Sequence, residues 1–245
     1  MRTGGIKHIP KLAVDLLYPA RCPFCQDIAP WGTDICPECR AQLPVISSGR
    51  CIRCGKPVED GDIYCRECGN GGHLFDEGLG IYPYTGVWRT AISGLKYKGR
   101  KEYGRTFGRL IFENAAGRLD RWRPQVIVPV PVHRARLAAR GYNQAEVIAR
   151  EVSIKSRIPL RADGLVRTGE TLAMKNLGRA ERFENLRGVL AVSPDFRVPD
   201  RVLLIDDIYT TGATLDACSA VLKEAGADRV YFLTVCTGGG FMVQY

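Results

Sequence analysis

The sequence has no apolar run close to the roughly 18–20 residues that a membrane-spanning helix needs, which argues against a transmembrane protein. A secretory signal is also missing, because Lys11 and Asp15 interrupt the partly apolar segment 9–18. We therefore expect a short amphipathic helix within residues 1–20 and a cytoplasmic protein. The 45% of hydrophobic residues is nevertheless sufficient for a globular core.

Histidine and methionine are scarce, with three residues each, but cysteine is abundant, with ten. Eight cysteines form four Cys-x-x-Cys pairs, a pattern that favours metal binding over disulfides when no secretory signal is present. These eight are Cys22, Cys25, Cys36, Cys39, Cys51, Cys54, Cys65 and Cys68. The other two, Cys218 and Cys236, are expected to be buried free thiols. His73, which follows the last pair, is expected on the surface, although it could replace a ligand.

The four pairs form a repeat, because ten residues separate the first pair from the second and again the third from the fourth. Two pairs supply the four thiolates that structural zinc binds in a tetrahedron, and segment 21–75 has too few aliphatic runs to form a core without such a staple. We therefore predict a double zinc ribbon over residues 21–75 with two structural Zn²⁺ sites. Sequential pairing is favoured, but the spacing leaves interleaved pairing open. Redox thiols or an iron–sulfur cluster are the alternatives; a redox pair would start a helix, and none is predicted here.

From residue 76 to residue 245, predicted strands alternate with predicted helices, which implies a parallel α/β sheet with helices on both faces. The strands are expected at 78–82, 125–130, 160–167, 202–205 and 229–235, and the helices at 87–97, 103–119, 143–156 and 211–225. Ligands of such sheets bind at the carboxyl ends of the strands. The loops that follow the strands are therefore where a functional site is expected.

The segment 202–215 combines four aliphatic residues, two adjacent carboxylates and a turn rich in hydroxyl groups. Backbone N–H groups of such a turn and of the following helix converge on an anion, and Asp206 and Asp207 can accept hydrogen bonds from sugar hydroxyls. The turn contains no Lys, which excludes a nucleoside-triphosphate P-loop. The pattern predicts a ribose 5-phosphate site whose turn residues are Tyr209, Thr210, Thr211, Gly212, Ala213 and Thr214.

Two carboxylates followed by Thr-Thr-Gly-x-Thr resemble the signature with which type I phosphoribosyltransferases bind phosphoribosyl pyrophosphate (PRPP). The resemblance implies the fold of these enzymes, Asp206 and Asp207 as catalytic residues that hold the ribose hydroxyls, and Mg²⁺ bound with PRPP. It also implies that the loop after the strand 125–130 holds the pyrophosphate. The residues of that loop are Val130, Pro131, Val132, His133 and Arg134. A general-acid role is open for His133, but anion contact or loop packing is favoured.

The stretch 134–144, together with the double Cys-x-x-Cys unit in front of it, resembles the ComF family of competence-related, double zinc ribbon phosphoribosyltransferase-like proteins. Segments 95–99 and 179–185 resemble that family as well. One departure is Met174, where many relatives have Gln, which puts a side-chain contact there in doubt; Lys175 is the neighbouring candidate. The resemblance implies uptake or processing of single-stranded DNA in natural transformation, with DNA-processing proteins as partners.

Positive charge is concentrated in residues 88–140, which hold thirteen Lys and Arg against three acidic residues. This basic stripe suits a polyanion, although a solvated basic face is the alternative. The residues expected to contact nucleic acid or phosphate are Lys96, Lys98, Arg100, Arg136 and Arg140. Aromatic side chains are interleaved with these charges and either stack on bases or belong to the core. They are Trp88, Tyr97, Tyr103 and Tyr142.

Three functions are compatible with these features. The first is a PRPP-binding protein that handles single-stranded DNA. The alternative is an active phosphoribosyltransferase that transfers the 5-phosphoribosyl group from PRPP to a base or amine; no base-recognition pocket is evident from the sequence. A third is a regulator that couples PRPP level to a protein partner through the zinc ribbons. Pyrophosphate release from PRPP would distinguish the second from the others.

Overall fold

The computed structural model describes residues 19–46, 49–59, 61–169 and 179–238. By their internal contacts, the residues form two compact units, Met1–Leu43 and Pro44–Tyr245. The sequence composition had placed both cysteine-rich repeats in one segment, 21–75, whereas the second repeat belongs to the same compact unit as the sheet. Residues 1–18 of the expected N-terminal helix lie outside the described residues, as do Met174 and Lys175.

Both cysteine-rich repeats use the same backbone turn. Gln26 N donates to Cys22 O at 2.9 Å, and Gly55 N donates to Cys51 O at 2.9 Å. Gln26 and Gly55 both have left-handed backbone angles, with φ of 68° and 73°. A left-handed residue therefore closes the first Cys-x-x-Cys turn of each repeat, but only the second repeat uses glycine, which adopts this conformation without cost.

The second pair of each repeat opens a short helix, which corrects the expectation that no pair starts one. Cys36 is the N-cap of helix α1, Pro37–Ala41, and Cys65 is the N-cap of helix α2, Arg66–Gly69. Both helices have five residues or fewer, so neither resembles the longer helix that follows a redox-active pair.

The expected parallel α/β sheet with flanking helices is confirmed in the second unit. Its strands are β1 Glu77–Pro83, β2 Val126–Pro129, β3 Leu165–Arg167, β4 Leu190–Val192, β5 Arg201–Tyr209 and β6 Arg229–Thr237. Its helices after α2 are α3 Gly86–Tyr97, α4 Tyr103–Trp122, α5 Arg134–Arg140, α6 Gln144–Ser156, α7 Arg179–Arg187 and α8 Ala213–Glu224. The main sheet has the order β1-β6-β5-β2 with parallel pairing throughout.

Helices cover both faces of the main sheet. Val202 and Leu204 of β5 join a buried cluster with Leu215 and Leu222 of α8. Side chains alternate along a strand, so the intervening residues of β5 face the opposite layer, where α4 packs on α6. Glycine at position 104 makes this helix pair possible, because a Cβ there would lie 2.5 Å from Val147 Cγ1. Among the described residues, no helix has the length and apolar character needed to cross a membrane.

The expected strand 160–167 does not join the main sheet as one element. Leu160 forms a single parallel bridge with Ile127, and a turn closed by Gly164 N donating to Arg161 O at 3.2 Å follows it. The chain then forms β3, which pairs antiparallel with β4. After this turn the chain leaves the main sheet and forms the second, two-stranded sheet, so the expected strand is divided in two.

Candidate functional site

A cleft of about 300 Å³ lies where the strands of the main sheet end. Strand β2 pairs with β5 only as far as Ile205, but β5 continues beside β6 to Tyr209. The expected strand 202–205 therefore continues four residues further, to Tyr209, and Asp206 and Asp207 lie within it rather than after it. The strand-end cleft is lined by Tyr84, Lys96, Val130, Pro131, Val132, His133, Arg136, Gln144, Arg167, Leu186, Leu190, Asp206, Asp207, Ile208, Thr210 and Thr214.

The side chains of Asp206 and Asp207 point towards opposite faces of the sheet. Asp207 is buried, pairs through Oδ2 with Lys96 Nζ of α3, and accepts a hydrogen bond from Gln144 Nε2 at 3.4 Å. Burial alone would lower the pKa of Lys96, but the Asp207 charge outweighs burial and raises it. Asp207 is therefore paired within the protein itself, by a lysine that also lines the cleft.

Asp206 is in a different electrostatic state. Burial raises the pKa of Asp206 well above its ordinary range, and the neighbouring Asp207 charge adds to this rise. Its Oδ1 accepts a hydrogen bond from Asp207 N at 2.8 Å. Its charge also contributes to the raised pKa of Cys218 on α8, after burial of that thiol. Asp206 thus faces the α8 side of the sheet, and any group that donates hydrogen bonds or a cation to it favours its ionised form.

The loop between β5 and α8 presents the helix N-terminus to the cleft. Gly212 is the N-cap of α8 and has a φ of 82°. A Cβ at Gly212 would lie 2.7 Å from His73 Cε1, so both the backbone angle and the close contact require glycine. Thr210 and Thr214 line the cleft on either side of this turn. The free N–H groups of the first helical turn favour an anion at this position.

His73 is buried beneath the loop, which corrects its expected surface position. Only 4% of the residue is exposed, and its ring stacks on Phe75 with centroids 4.4 Å apart. His73 Nδ1 lies 2.9 Å from Asp216 Oδ2, and Nε2 lies 3.2 Å from the Tyr209 hydroxyl. These partners lie about 140 residues further along the chain, so local sequence did not reveal that they bury it.

The loop 130–133 forms the wall opposite α8. Val130 N donates to Ile205 O at 2.9 Å as β2 ends, and Asn143 Nδ2 donates to Val130 O at 3.0 Å. His133 caps α5 by accepting from Ala135 N at 3.2 Å. The loop is thus fixed to the sheet at one end and to the helix at the other.

Two arginines add positive charge to the cleft. Arg136 comes from α5 and Arg167 from β3. Burial lowers the pKa of Arg167, and the charge of Arg136 lowers it further. Because two guanidinium groups repel each other here, an anion between them would be favoured.

The eight predicted cysteine ligands form two clusters of four. In each cluster, all four Sγ atoms lie within 4.8 Å of one another. A tetrahedral zinc ion with bonds of about 2.3 Å holds its sulfurs about 3.8 Å apart. The Cys25–Cys36 and Cys54–Cys65 Sγ distances are 3.7 Å and 3.6 Å. Both clusters fit structural zinc, and the sequential pairing is confirmed: Cys22, Cys25, Cys36 and Cys39 form the first cluster, and Cys51, Cys54, Cys65 and Cys68 the second.

Known proteins resemble the chain in both parts. Residues 13–69 match the family described as "Double zinc ribbon domain". Competence protein F of Haemophilus influenzae is 28% identical, with 80% of this chain and 93% of that protein covered. Competence protein ComFC of Bacillus subtilis is 26% identical, with 78% and 79% covered. DNA utilization protein YhgH of Escherichia coli K12 is 24% identical, with 90% and 98% covered.

Over most of its length the chain is thus similar to proteins of the ComF family. Among solved structures, a purine phosphoribosyltransferase from Pyrococcus horikoshii is similar with a TM-score of 0.33 and 17% identity, over 54% of this chain and 81% of that one.

Part of the predicted turn does not line the cleft. Tyr209 is fully buried, and Lys56 Nζ lies 4.9 Å from the centre of its ring. Thr211, Gly212 and Ala213 are absent from the lining as well. Their possible contribution is through the backbone of the turn, whereas the side chain of Tyr209 belongs to the core.

The basic stripe separates into solvated and paired residues. Lys98, Arg100 and Arg134 are exposed and do not line the cleft, while Arg140 lies over the ring of Tyr97 at 5.7 Å and bonds Gln144 Oε1. Tyr97 is 77% exposed. The core interpretation is confirmed for the other three interleaved aromatic residues, which are the buried Trp88, Tyr103 and Tyr142.

Several residues of the cleft carried no signal in the sequence. Arg167 follows no recognisable motif and reaches the cleft only because β3 leaves the main sheet. Leu186 and Leu190 supply an apolar wall from α7 and β4. Gln144 was part of the stretch that resembles the ComF family, and its buried position beside Asp207 explains a polar residue at the start of α6.

Proposed function

We propose that this ComF-like protein binds PRPP with Mg²⁺ in the strand-end cleft and acts in the handling of single-stranded DNA during natural competence, in the cytoplasm. The observation that carries the PRPP part is the convergence of Asp206, the loop 130–133 and the N-terminus of α8 on one cleft. The DNA part is supported by the relatives named as competence and DNA utilization proteins.

The cleft offers one group for each part of PRPP. The 5-phosphate would bind at the N-terminus of α8, where Thr210 and Thr214 add hydroxyl donors. Asp206 would accept hydrogen bonds from the ribose hydroxyls. The pyrophosphate would lie against the loop 130–133 and the guanidinium groups of Arg136 and Arg167.

Mg²⁺ fits this arrangement as an ion brought in with the ligand. It prefers oxygen ligands and keeps several waters, and Asp206 is the cleft carboxylate that forms no ion pair with a lysine among the described residues. The ion would offset the repulsion between pyrophosphate and carboxylate. Binding, rather than transfer to an acceptor, is the function that these residues support.

Calorimetric titration with PRPP and Mg²⁺, with and without a single-stranded oligonucleotide, tests the proposal. We expect PRPP binding that Asp206→Asn weakens by about tenfold or more, since a hydrogen bond to a charged group is worth roughly 1.5–3 kcal/mol. Asp195→Asn, an exposed aspartate outside the cleft, is the matched control. Equal affinity in the two variants would contradict the site. Pyrophosphate release during the titration would reveal an active transferase.

Binding of the oligonucleotide is expected to weaken steeply as salt rises, because each neutralised phosphate of a single strand contributes a slope of about −0.7 in log affinity against log salt. No binding to single-stranded DNA at low salt would refute the DNA part of the proposal and leave the PRPP part standing.

A further inference from the structure

A second and larger cleft, of about 840 Å³, lies on the opposite edge of the main sheet from β2. The second cysteine-rich repeat, the start of β1 and the last turns of α4 form its walls. Four arginines line it, namely Arg50, Arg53, Arg118 and Arg121, and Tyr64 stands beside them. We name it the arginine cleft. All of its lining residues belong to the unit Pro44–Tyr245.

Two of the arginines are held in place by backbone carbonyls rather than by carboxylates. Arg50 donates to Gly80 O at 2.8 Å and to Ile81 O at 2.9 Å. Arg53 donates to His73 O at 2.5 Å. Carbonyl groups orient a guanidinium but leave its positive charge in place. Within the described ranges, no carboxylate oxygen lies within 4.0 Å of either guanidinium.

Arg118 adds a third charge without a carboxylate partner at ion-pair distance in the part of the chain that the structure describes. Burial and the charge of Arg121 lower the pKa of Arg118, with partial compensation from Glu77. The guanidinium groups therefore repel one another across the cleft, and an anion placed among them would relieve that repulsion.

The two acidic residues that line the arginine cleft already form ion pairs with other residues. Glu77 Oε2 binds Arg121 and accepts from Trp122 Nε1 at 3.1 Å. Asp76 pairs with Lys223 and Arg229, each at 2.9 Å. They consequently do not cancel the charge of Arg50, Arg53 and Arg118.

The arginine cleft also contains exposed apolar side chains. Tyr64 is 47% exposed and Ile52 53% exposed, and both line the cleft. An exposed aromatic ring next to arginines that have no carboxylate partner in the described part of the chain suits single-stranded nucleic acid, because bases stack on the ring while phosphates bind the guanidinium groups.

We propose that the arginine cleft binds a segment of single-stranded nucleic acid, with phosphates at Arg118 and Arg50 and a base on Tyr64. This inference rests on the proposed DNA-handling function and assigns it to a surface outside the strand-end cleft. A small anion would need only the guanidinium groups. The volume, more than twice that of the strand-end cleft, and the exposed ring beside the charges favour a chain of nucleotides.

Fluorescence anisotropy with a labelled oligothymidylate tests the arginine cleft. Arg118→Gln should weaken binding by about tenfold and reduce the salt slope by about 0.7, the value for one lost phosphate contact. Arg150→Gln is the matched control, since it removes one positive charge from the exposed part of α6; it should change affinity by less than about twofold. Unchanged near-ultraviolet circular dichroism and zinc content establish that both variants are folded.

Tyr64→Ala should weaken binding by about tenfold, whereas Tyr64→Phe, which retains a ring, should bind like the parent protein. An oligonucleotide containing 5-iodouracil should crosslink to the peptide that contains Tyr64. If the parent protein binds single strands but Arg118→Gln matches Arg150→Gln, or crosslinks appear only elsewhere, the assignment of this cleft is wrong while the DNA function stands. If a mononucleotide competes as well as the oligonucleotide, the cleft is a small-anion site. No binding by the parent protein would overturn both proposals.

Discussion

The two cysteine clusters have the same spacing and the same ligand geometry, but they occupy different environments. In the first cluster Cys22 is buried and Cys25 is exposed, and the cluster lies in the compact unit Met1–Leu43. In the second cluster three of the four cysteines are buried, and they belong to one hydrophobic cluster with Phe75, Tyr209 and residues of the main sheet. The repeat is thus used once as the metal site of the smaller unit and once as a part of the core of the larger unit.

The second cluster is joined to the strand-end cleft by a short series of buried contacts. Lys56, two residues after Cys54, lies over the ring of Tyr209, and the Tyr209 hydroxyl contacts His73. His73 in turn contacts Asp216 in the first turn of α8. The metal site that holds the second repeat therefore also supports the turn that we assign to the 5-phosphate.

Removing the ligands of each cysteine cluster in turn tests whether the two clusters have different roles, and it should give the largest effects. Cys51→Ser with Cys54→Ser should lower the stability of the second unit by at least about 5 kcal/mol and abolish PRPP binding, because structural zinc contributes roughly 10–16 kcal/mol to the folding of small zinc domains. Cys22→Ser with Cys25→Ser should remove one zinc ion and leave PRPP affinity unchanged. Zinc analysis, thermal denaturation and calorimetry on both variants provide the measurements; equal effects would show that the two clusters have the same role.

The contact between His73 and α8 is tested by two substitutions of that histidine. His73→Phe preserves the stacking on Phe75 but removes the contact of Nδ1 with Asp216 Oδ2, and loss of a hydrogen bond to a charged group costs about 1.5–3 kcal/mol. His73→Ala should cost more, because a cavity is added. Urea denaturation measures the stability, and titration with PRPP measures whether the turn is displaced. Full PRPP affinity in a stable His73→Ala variant would show that the second repeat does not support the turn.

Patterns that repeat over short distances were predictable from the sequence. The eight ligands follow from the Cys-x-x-Cys spacing, which favoured sequential pairing and left the interleaved one open until the fold was seen. Strand β6 and helix α8 follow from local hydrophobic periodicity. Contacts that join distant segments were not predictable. His73 and Asp216 are 143 positions apart, and only the folded chain shows that they meet.

A count of charge along the chain likewise does not show which groups meet. The basic stripe includes Lys96, and the fold brings this lysine to Asp207, where the two charges pair at the strand-end cleft. The arginine cleft combines Arg50 and Arg53 of the second repeat with Arg118 of the stripe. A count along the chain detects the excess of charge but not which arginines share a surface.

Asp206→Asn is expected to weaken PRPP binding and to raise the stability of the protein. Loss of the second cysteine cluster should lower both. Because the raised pKa of Asp206 means that the folded protein holds this proton to higher pH than the unfolded chain does, ionisation of Asp206 costs stability as pH rises above about 4. Asn removes that cost, so the variant should be more stable than the parent at pH 7, with the gain fading as pH falls towards 4.

Asp207→Asn is the matched comparison for this substitution. It leaves the buried Lys96 without its carboxylate and should therefore destabilise the protein at pH 7. Urea denaturation between pH 4 and pH 8 measures both variants. A loss of stability in Asp206→Asn, similar to that in Asp207→Asn, would show that the two carboxylates are in equivalent environments.

The smallest expected effect comes from the left-handed residue that closes each first turn. At Gly55, a Cβ would lie 2.8 Å from Leu79 Cδ1 and 3.0 Å from Gly78 O, because the second repeat packs directly on β1. At Gln26, a side chain is accommodated, and the φ of 68° is its main cost. Gln26→Gly should therefore stabilise the first unit by about 0.5 kcal/mol, the relief of left-handed strain less the entropy of glycine. Thermal denaturation measures this gain. A loss of stability instead would mean that contacts of the Gln26 side chain outweigh the strain of its left-handed backbone.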